Sequence, residues 1–109
     1  MPINEGIGPA GEPEDLHSAP QSLRIVVAED DRDTAVSLMM ILRDEGHEVR
    51  TVSSGRNVMG VVIDFDPDVV LLDINMPGLS GWEVARTIRS KRGAERPMII
   101  GIICVVLFY

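Results

Sequence analysis

The sequence predicts an α/β protein with a doubly wound parallel sheet, and three features of the chain support this prediction. Short apolar runs rich in Val and Ile alternate with segments whose apolar residues recur at helical spacing. Apolar runs without a polar alternation are typical of parallel strands that are buried on both faces. Gly, Pro or Asp residues mark the boundaries between segments. The predicted order is β-α-β-α-β-α-β, and this alternation favours parallel strands joined by right-handed crossovers.

The first strand carries an acidic cluster at its carboxyl end. Leu23–Ala28 is an apolar, β-branched run that predicts a buried strand. Three acidic residues follow it directly: Glu29, Asp30 and Asp31. Apolar residues at helical spacing within residues 34–42 predict the next helix, which Gly46 ends. Asp31 or Asp33 is expected to cap the start of this helix.

The second strand and the second helix carry weaker signals. Residues 47–52 alternate weakly and predict a strand that could lie at the edge of the sheet. His47 stands at its start, and we interpret it as a surface connection because a catalytic histidine needs a partner. Apolar residues within 58–65 predict a helix that ends at Asp66 and Pro67.

The third strand delivers a single carboxylate into a turn. The apolar run Val69–Leu72 leads directly to Asp73, and a loop with Pro and Gly follows. Ser80 is expected to cap a helix from about Trp82, whose side chain we expect to pack at the base of the loop. Residues 98–102 then predict a fourth buried strand.

Glu29, Asp30 and Asp73 are expected to converge, because the first and third strands are neighbours in the common doubly wound order. Carboxylates this close repel one another unless a cation neutralises them or a proton is shared. Oxygen ligands without Cys or His suit a hard ion such as Mg²⁺, which binds a few carboxylates and keeps several waters. With such an ion in place, Asp73 could act as a nucleophile towards a phosphoryl group.

Two stretches of the chain, Arg24–Asp31 and Val69–Gly81, resemble the receiver domain of bacterial two-component response regulators. The second stretch carries the pattern D-x-x-M-P-x-x-x-G directly after an apolar run. The resemblance covers residues 22–102 and implies a flavodoxin-like fold. It also implies a cytoplasmic phosphoprotein of phosphorelay signal transduction that is a phosphoacceptor and not an enzyme in the usual sense.

The resemblance assigns a role to each residue of the acidic site. It implies that Asp73 accepts phosphate from a sensor histidine kinase or phosphotransfer protein. Asp30 and Asp73 would ligate Mg²⁺, with Glu29 acting largely through water. Asn75 would contribute its backbone carbonyl to the metal, and its side chain would face the attacking or leaving oxygen. Three residues would shape the loop: Pro77, Gly78 and Gly81.

The chain departs from the family's pattern after the fourth strand. Receiver domains carry a Ser or Thr there, and Ile102 and Ile103 occupy that neighbourhood. They also carry a Lys at the end of a fifth strand, whereas this chain reaches only Tyr109. Residues 22–109 are therefore expected to form an incomplete receiver that lacks the last helix-strand-helix portion. The fourth strand would be an exposed edge that could pair with another copy, and the uncharged run 98–109 has an aggregation signature.

Composition and charge limit the kinds of partner and the cellular compartment that we expect for this protein. Residues 1–21 are acidic and rich in Pro and Gly, which predicts a disordered tail. The tail carries four acidic residues and no Lys or Arg, so it holds most of the net charge of −7. The mildly acidic remainder argues against a nucleic-acid partner. We expect no membrane segment, since no apolar run is long enough, and the single Cys104 favours a reducing, cytoplasmic compartment.

Two alternatives to a working phosphoacceptor stay open at this point. The first is a vestigial or truncated interaction fragment that keeps the first part of the fold but has impaired switching. The second is an Mg²⁺-dependent phosphohydrolase with Asp73 as its nucleophile, which is favoured less because Asn75 stands where a second acid is expected. Steady turnover of a phosphate ester would distinguish the phosphohydrolase from both other readings.

Overall fold

The computed structural model describes residues 21–76, 78, 80–93 and 95–102. Residues 1–20 of the predicted tail lie outside the described residues. The same is true of Pro77, Ile103 and Cys104, and of the rest of the apolar run after Ile102. Within the described part, no helix has the length and apolar character needed to cross a membrane.

The seven predicted elements are all present in the described part of the chain, in the predicted order. They are β1 (Arg24–Ala28), α1 (Arg32–Asp44), β2 (Glu48–Val52), α2 (Gly55–Phe65), β3 (Val69–Asp73), α3 (Gly81–Arg92) and β4 (Met98–Ile102). All strand pairs are parallel, and the strands lie in the order β2-β1-β3-β4. The prediction of a flavodoxin-like parallel sheet is therefore confirmed, including the pairing of the first and third strands.

Side-chain caps set the starts of the helices. Asp31, and not Asp33, caps α1, because its carboxylate accepts hydrogen bonds from the backbone N–H and the hydroxyl of Thr34. These two hydrogen bonds hold the pKa of Asp31 below its ordinary value. Ser80 caps α3 as predicted and forms a capping box with Glu83, in which each side chain accepts from the other residue's backbone N–H.

The core has two layers, one on each face of the sheet. On one face, β1 and β3 pack against α2 and α3 through a cluster of buried residues: Val26, Ala28, Val58, Val62, Val70, Leu72, Val84 and Ile88. On the other face, α1 covers β1 and β2, and the cluster is smaller: Ile25, Val27 and Val49, with Leu38, Met39 and Leu42 against them. This packing holds β1 and β3 rigidly side by side, which fixes the carboxyl ends where the acidic residues lie.

The prediction that β4 is a buried strand is wrong. Met98 is 58% exposed and Ile100 is 42% exposed, although both are apolar. Their side chains lie on the same face of the sheet as those of Val69 and Leu71, which are only partly buried. Among the described helices, α1 is the one on this face, and it packs on β1 and β2. Among the described strands, β4 lies at the edge of the sheet, as the departure from the receiver pattern after the fourth strand implied.

Trp82 also differs from its prediction. Its side chain is 63% exposed and lines a cavity of about 1040 Å³ between α3 and β4, instead of packing at the base of the loop. Trp82 is exposed because the buried side of α3 is the side that carries Val84 and Ile88. Trp82 precedes Val84 by two residues, which turns it to the opposite side of the helix.

Candidate functional site

The acidic residues lie at the carboxyl edge of the sheet, where two central strands end side by side. Ala28 of β1 is in register with Leu72 of β3. Glu29 directly follows Ala28, and Asp73 directly follows Leu72 as the last residue of β3. The two acidic residues are therefore neighbours at this edge of the sheet. Glu29, Asp30 and Asp73 each offer a carboxylate oxygen, and these oxygen atoms all lie within 4.8 Å of one another.

Glu29 is the most deeply buried carboxyl group of the cluster, with 2% of its surface exposed. Its Oε2 atom accepts a hydrogen bond of 3.0 Å from the backbone N–H of Asp31. Burial raises the pKa of Glu29 above its ordinary value of 4.5, and the neighbouring carboxyl groups of Asp73 and Asp30 raise it further. The Asp31 N–H opposes this rise because it stabilises the charged form.

Asp73 is buried as well, with 5% of its surface exposed, and its orientation is fixed locally. Its Oδ1 atom accepts a hydrogen bond of 3.0 Å from the backbone N–H of Asn75. Asp30, in contrast, is exposed and gives the cluster an opening to solvent.

The donor set fits Mg²⁺. Three carboxylates from two strand ends supply hard oxygen ligands without a Cys or His, and the exposed Asp30 leaves room for metal-bound water. The salt bridges in the described part of the chain engage Asp64, Asp66 and Asp68, so none of them neutralises Asp30 or Asp73. A divalent cation would offset the repulsion among the three carboxyl groups.

Glycines bring the loop after β3 close to neighbouring backbone. A Cβ atom on Gly81 would lie 2.7 Å from the Cα of Ile74 and 3.0 Å from the carbonyl oxygen of Asp73. Gly78 has a φ of +90°, a backbone conformation that favours glycine. The backbone N–H of Gly81 also donates to the carbonyl oxygen of Ile74, at 3.1 Å. Gly81 therefore allows the start of α3 to touch the end of β3.

A cavity of about 340 Å³ adjoins the acidic cluster on the side of β2. Sequence reasoning gave no role to three of its polar lining residues: Arg32, Thr51 and Ser53. The position of Arg32 near the acidic site could have been predicted, because Arg32 directly follows Glu29, Asp30 and Asp31 in the sequence. Thr51 and Ser53 lie at the end of β2, and only the sheet order brings that end beside Glu29.

A comparison with known protein families identifies the family of this chain. The sequence model of the response regulator receiver domain matches residues 25–103. The chain belongs to this family. Apart from Arg24 at the start of β1, the matched range contains every described strand and helix, together with Glu29, Asp30 and Asp73.

Curated relatives of this receiver chain are longer proteins. It is 36% identical over 76 residues to the DNA-binding response regulator MtrA of Mycobacterium tuberculosis, a match that covers 70% of this chain and 33% of that protein. It is 40% identical over 70 residues to the transcriptional regulatory protein TcrA of the same species, covering 64% of this chain and 28% of that protein. The chain thus spans about a third of the length of these two relatives.

Solved receiver structures share the fold. The response regulator TrrA of Thermotoga maritima, crystallised in complex with Mg²⁺–BeF, is 35% identical with a TM-score of 0.62, over 73% of this chain and 64% of that one. The BeF3-activated receiver domain of Klebsiella pneumoniae RstA is 26% identical with a TM-score of 0.69, over 77% and 69% of the two chains. The chain also shares its fold with the chemotaxis response regulator CheY4 of Vibrio cholerae, which is 23% identical with a TM-score of 0.70. This match covers 74% of this chain and 68% of CheY4.

Proposed function

We propose that this receiver chain accepts a phosphoryl group on Asp73 in an Mg²⁺-dependent reaction of a two-component phosphorelay. The observation that carries the proposal is the convergence of the Glu29, Asp30 and Asp73 carboxylate oxygens within 4.8 Å. The donor is a sensor histidine kinase or a phosphotransfer protein. The DNA binding in the name of MtrA is not carried over, because the match covers 33% of that protein.

Asp73 is the nucleophile of the proposed reaction. The Asn75 N–H holds the Asp73 carboxylate in place, and a carboxylate oxygen of Asp73 attacks the phosphorus atom. The new Asp73–phosphorus bond forms as the bond from phosphorus to the donor's leaving atom breaks, and the electron pair leaves with the donor. Bound Mg²⁺ supplies compensation for the negative charge on the phosphoryl oxygens.

The other residues of the cluster position the metal and the nucleophile. Asp30 and Asp73 would hold Mg²⁺ directly, Glu29 would act largely through water, and the Asn75 carbonyl would complete the protein ligands. Gly81 lets the start of α3 approach the backbone of Asp73 and Ile74 without a side chain in between. A carboxylate nucleophile has no proton to lose in the attack, so Asp73 needs no separate general base.

Phosphorylation by a small donor tests the proposal. Incubation with acetyl phosphate and Mg²⁺ is expected to add the mass of one phosphoryl group to the intact protein, and chelation of Mg²⁺ is expected to prevent it. Asp73→Asn is expected to abolish the added mass. Asp64→Asn is the matched control, because Asp64 is exposed on α2 and pairs with Arg50. An added phosphoryl group that survives Asp73→Asn, or no addition to a folded wild-type sample, would contradict the proposal.

A second function is favoured by one specific observation, the register of β4. Asp73 is in register with Ile102, whose apolar side chain has no hydroxyl to bind a phosphoryl group. An interaction fragment with impaired switching is therefore the second candidate. Addition of beryllofluoride, a phosphoryl mimic, is then expected to shift amide resonances only around the acidic cluster. Shifts that extend through α3 and β4 would argue against this candidate.

A further inference from the structure

The two edges of the sheet differ in how they are protected. The β2 edge exposes the charged residues Glu48 and Arg50, and charged side chains are one way in which proteins prevent edge-to-edge pairing. The β4 edge, Met98–Ile102, contains no charged residue and no proline, and it exposes Met98 and Ile100. Among the described residues, no strand pairs with its outer side. The β4 edge therefore has the properties of a surface that is covered by another strand.

The hydrogen bonds of β4 identify which backbone groups face outward. The N–H of Met98 donates to Asp68 and the carbonyl of Ile102 accepts from Ile74, so both residues point towards β3. Backbone groups alternate in direction along a strand, which turns those of Ile99 and Gly101 away from β3. These two outward residues are symmetric about Ile100.

We propose that two copies of this chain pair antiparallel through β4, with Ile100 on the two-fold axis, to form one continuous eight-stranded sheet. Ile99 of each copy then exchanges both backbone hydrogen bonds with Gly101 of the other. Ile100 faces Ile100 of the second copy in a non-hydrogen-bonded pair, where side chains are closest. Met98 faces Ile102, so the exposed apolar side chains of β4 contact one another.

Charge favours a second copy in this orientation. β4 itself carries no charge, and most of the net charge of −7 comes from residues 1–21. Antiparallel pairing keeps the acidic carboxyl edges of the two copies apart, because the amino end of each β4 lies beside the carboxyl end of the other. Near the amino end, Arg92 and Arg96 already pair with Asp66 and Asp68 of their own chain. Parallel pairing would instead place the two acidic edges side by side. Antiparallel pairing thus avoids repulsion between the acidic edges and is complementary in backbone groups and in side-chain type.

Sedimentation over a concentration series tests the pairing. The wild-type chain is expected to shift reversibly from 11.9 kDa to twice that mass as its concentration rises. Ile100→Lys places two like charges opposite each other and is expected to weaken the dimer at least about tenfold. Ile63→Lys on α2 is the matched control, because Ile63 is 59% exposed and lies away from β4. A dimer that survives Ile100→Lys, or is weakened equally by Ile63→Lys, overturns the proposal.

Disulfide cross-linking tests the register directly, in a Cys104→Ser background. Ile100→Cys is expected to cross-link two copies, because residues in a non-hydrogen-bonded antiparallel pair have Cα atoms about 4.5 Å apart. Ile99→Cys is expected not to cross-link, because its two copies would be farther apart than the roughly 7 Å limit. Cross-linking at residue 99 alone would overturn the register. A wild-type chain that stays monomeric at every concentration would overturn the dimer.

Discussion

Gly81→Ala is expected to lower the free energy of unfolding by about 2–3 kcal/mol, the upper part of the range for overpacked sites. The new Cβ atom would meet the Cα of Ile74 at 2.7 Å and the carbonyl oxygen of Asp73 at 3.0 Å. Both are backbone atoms, so no side-chain rotation can relieve the contact. Either α3 or the end of β3 has to move, and a shift of β3 displaces Asp73. The variant is therefore also expected to bind Mg²⁺ more weakly than the wild type.

Gly60→Ala provides a matched control for this prediction. Gly60 lies within α2, and a Cβ atom there would meet nothing within 4 Å. The same substitution is therefore expected to stabilise the protein by about 0.5–1 kcal/mol, because alanine loses less conformational freedom than glycine in a helix. Urea unfolding of both variants, monitored by circular dichroism, measures the two changes. A Gly81→Ala variant whose free energy of unfolding equals that of the wild type, or rises as it does in Gly60→Ala, would contradict the close approach of α3 to β3.

The order of the elements could be predicted because each apolar run in this chain is bounded by local signals. The boundary of α3, for example, follows from Ser80, whose hydroxyl caps the helix irrespective of distant residues. The convergence of Glu29 and Asp73 needed one further step, the neighbouring position of the first and third strands. That position follows from general rules for doubly wound sheets, which is why the acidic cluster could be anticipated.

Features that depend on distant packing could not be predicted in the same way. The Nδ1 atom of His47 accepts a hydrogen bond of 3.1 Å from the backbone N–H of Leu23, which lies 24 residues earlier in the chain. Likewise, the carboxylate of Asp68 accepts from the backbone N–H of Arg24 at 2.8 Å. Both contacts tie the amino end of β1 to its neighbours. No local pattern in the sequence distinguishes such a histidine or aspartate from a solvated one.

The exposure of β4 shows the limit of hydrophobicity as a signal. An apolar run indicates a strand that ought to be buried, but burial depends on which helices reach that part of the sheet. α1 packs on β1 and β2, which leaves Met98 and Ile100 exposed in the described part of the chain. Helix phase, in contrast, could have placed Trp82 correctly, because the spacing of Val84 and Ile88 already defines the buried side of α3.

Glu29 is expected to make the stability of the metal-free protein decrease with rising pH. Burial and the neighbouring Asp73 and Asp30 raise the pKa of Glu29 in the folded state above its ordinary value of 4.5. Between that value and the raised pKa, the folded state holds more protons than the unfolded state. The free energy of unfolding therefore falls as pH rises through this window, and the contribution is lost once pH exceeds the folded pKa. Urea unfolding without metal, at a series of pH values above 4.5, measures this slope.

Mg²⁺ is expected to reverse this loss of stability, because the cation offsets the charge that makes ionised Glu29 unfavourable. At a concentration of 100 times its dissociation constant, Mg²⁺ should raise the free energy of unfolding by about 2.7 kcal/mol. Glu29→Gln keeps the size of the side chain but removes its charge, so the variant should be more stable than the wild type at neutral pH without metal. It should also gain less stability from Mg²⁺, whereas Glu48→Gln, on the exposed edge of β2, should gain as much as the wild type. A Glu29→Gln variant that matches the wild type with and without Mg²⁺ would show that Glu29 neither strains the empty site nor supports the metal.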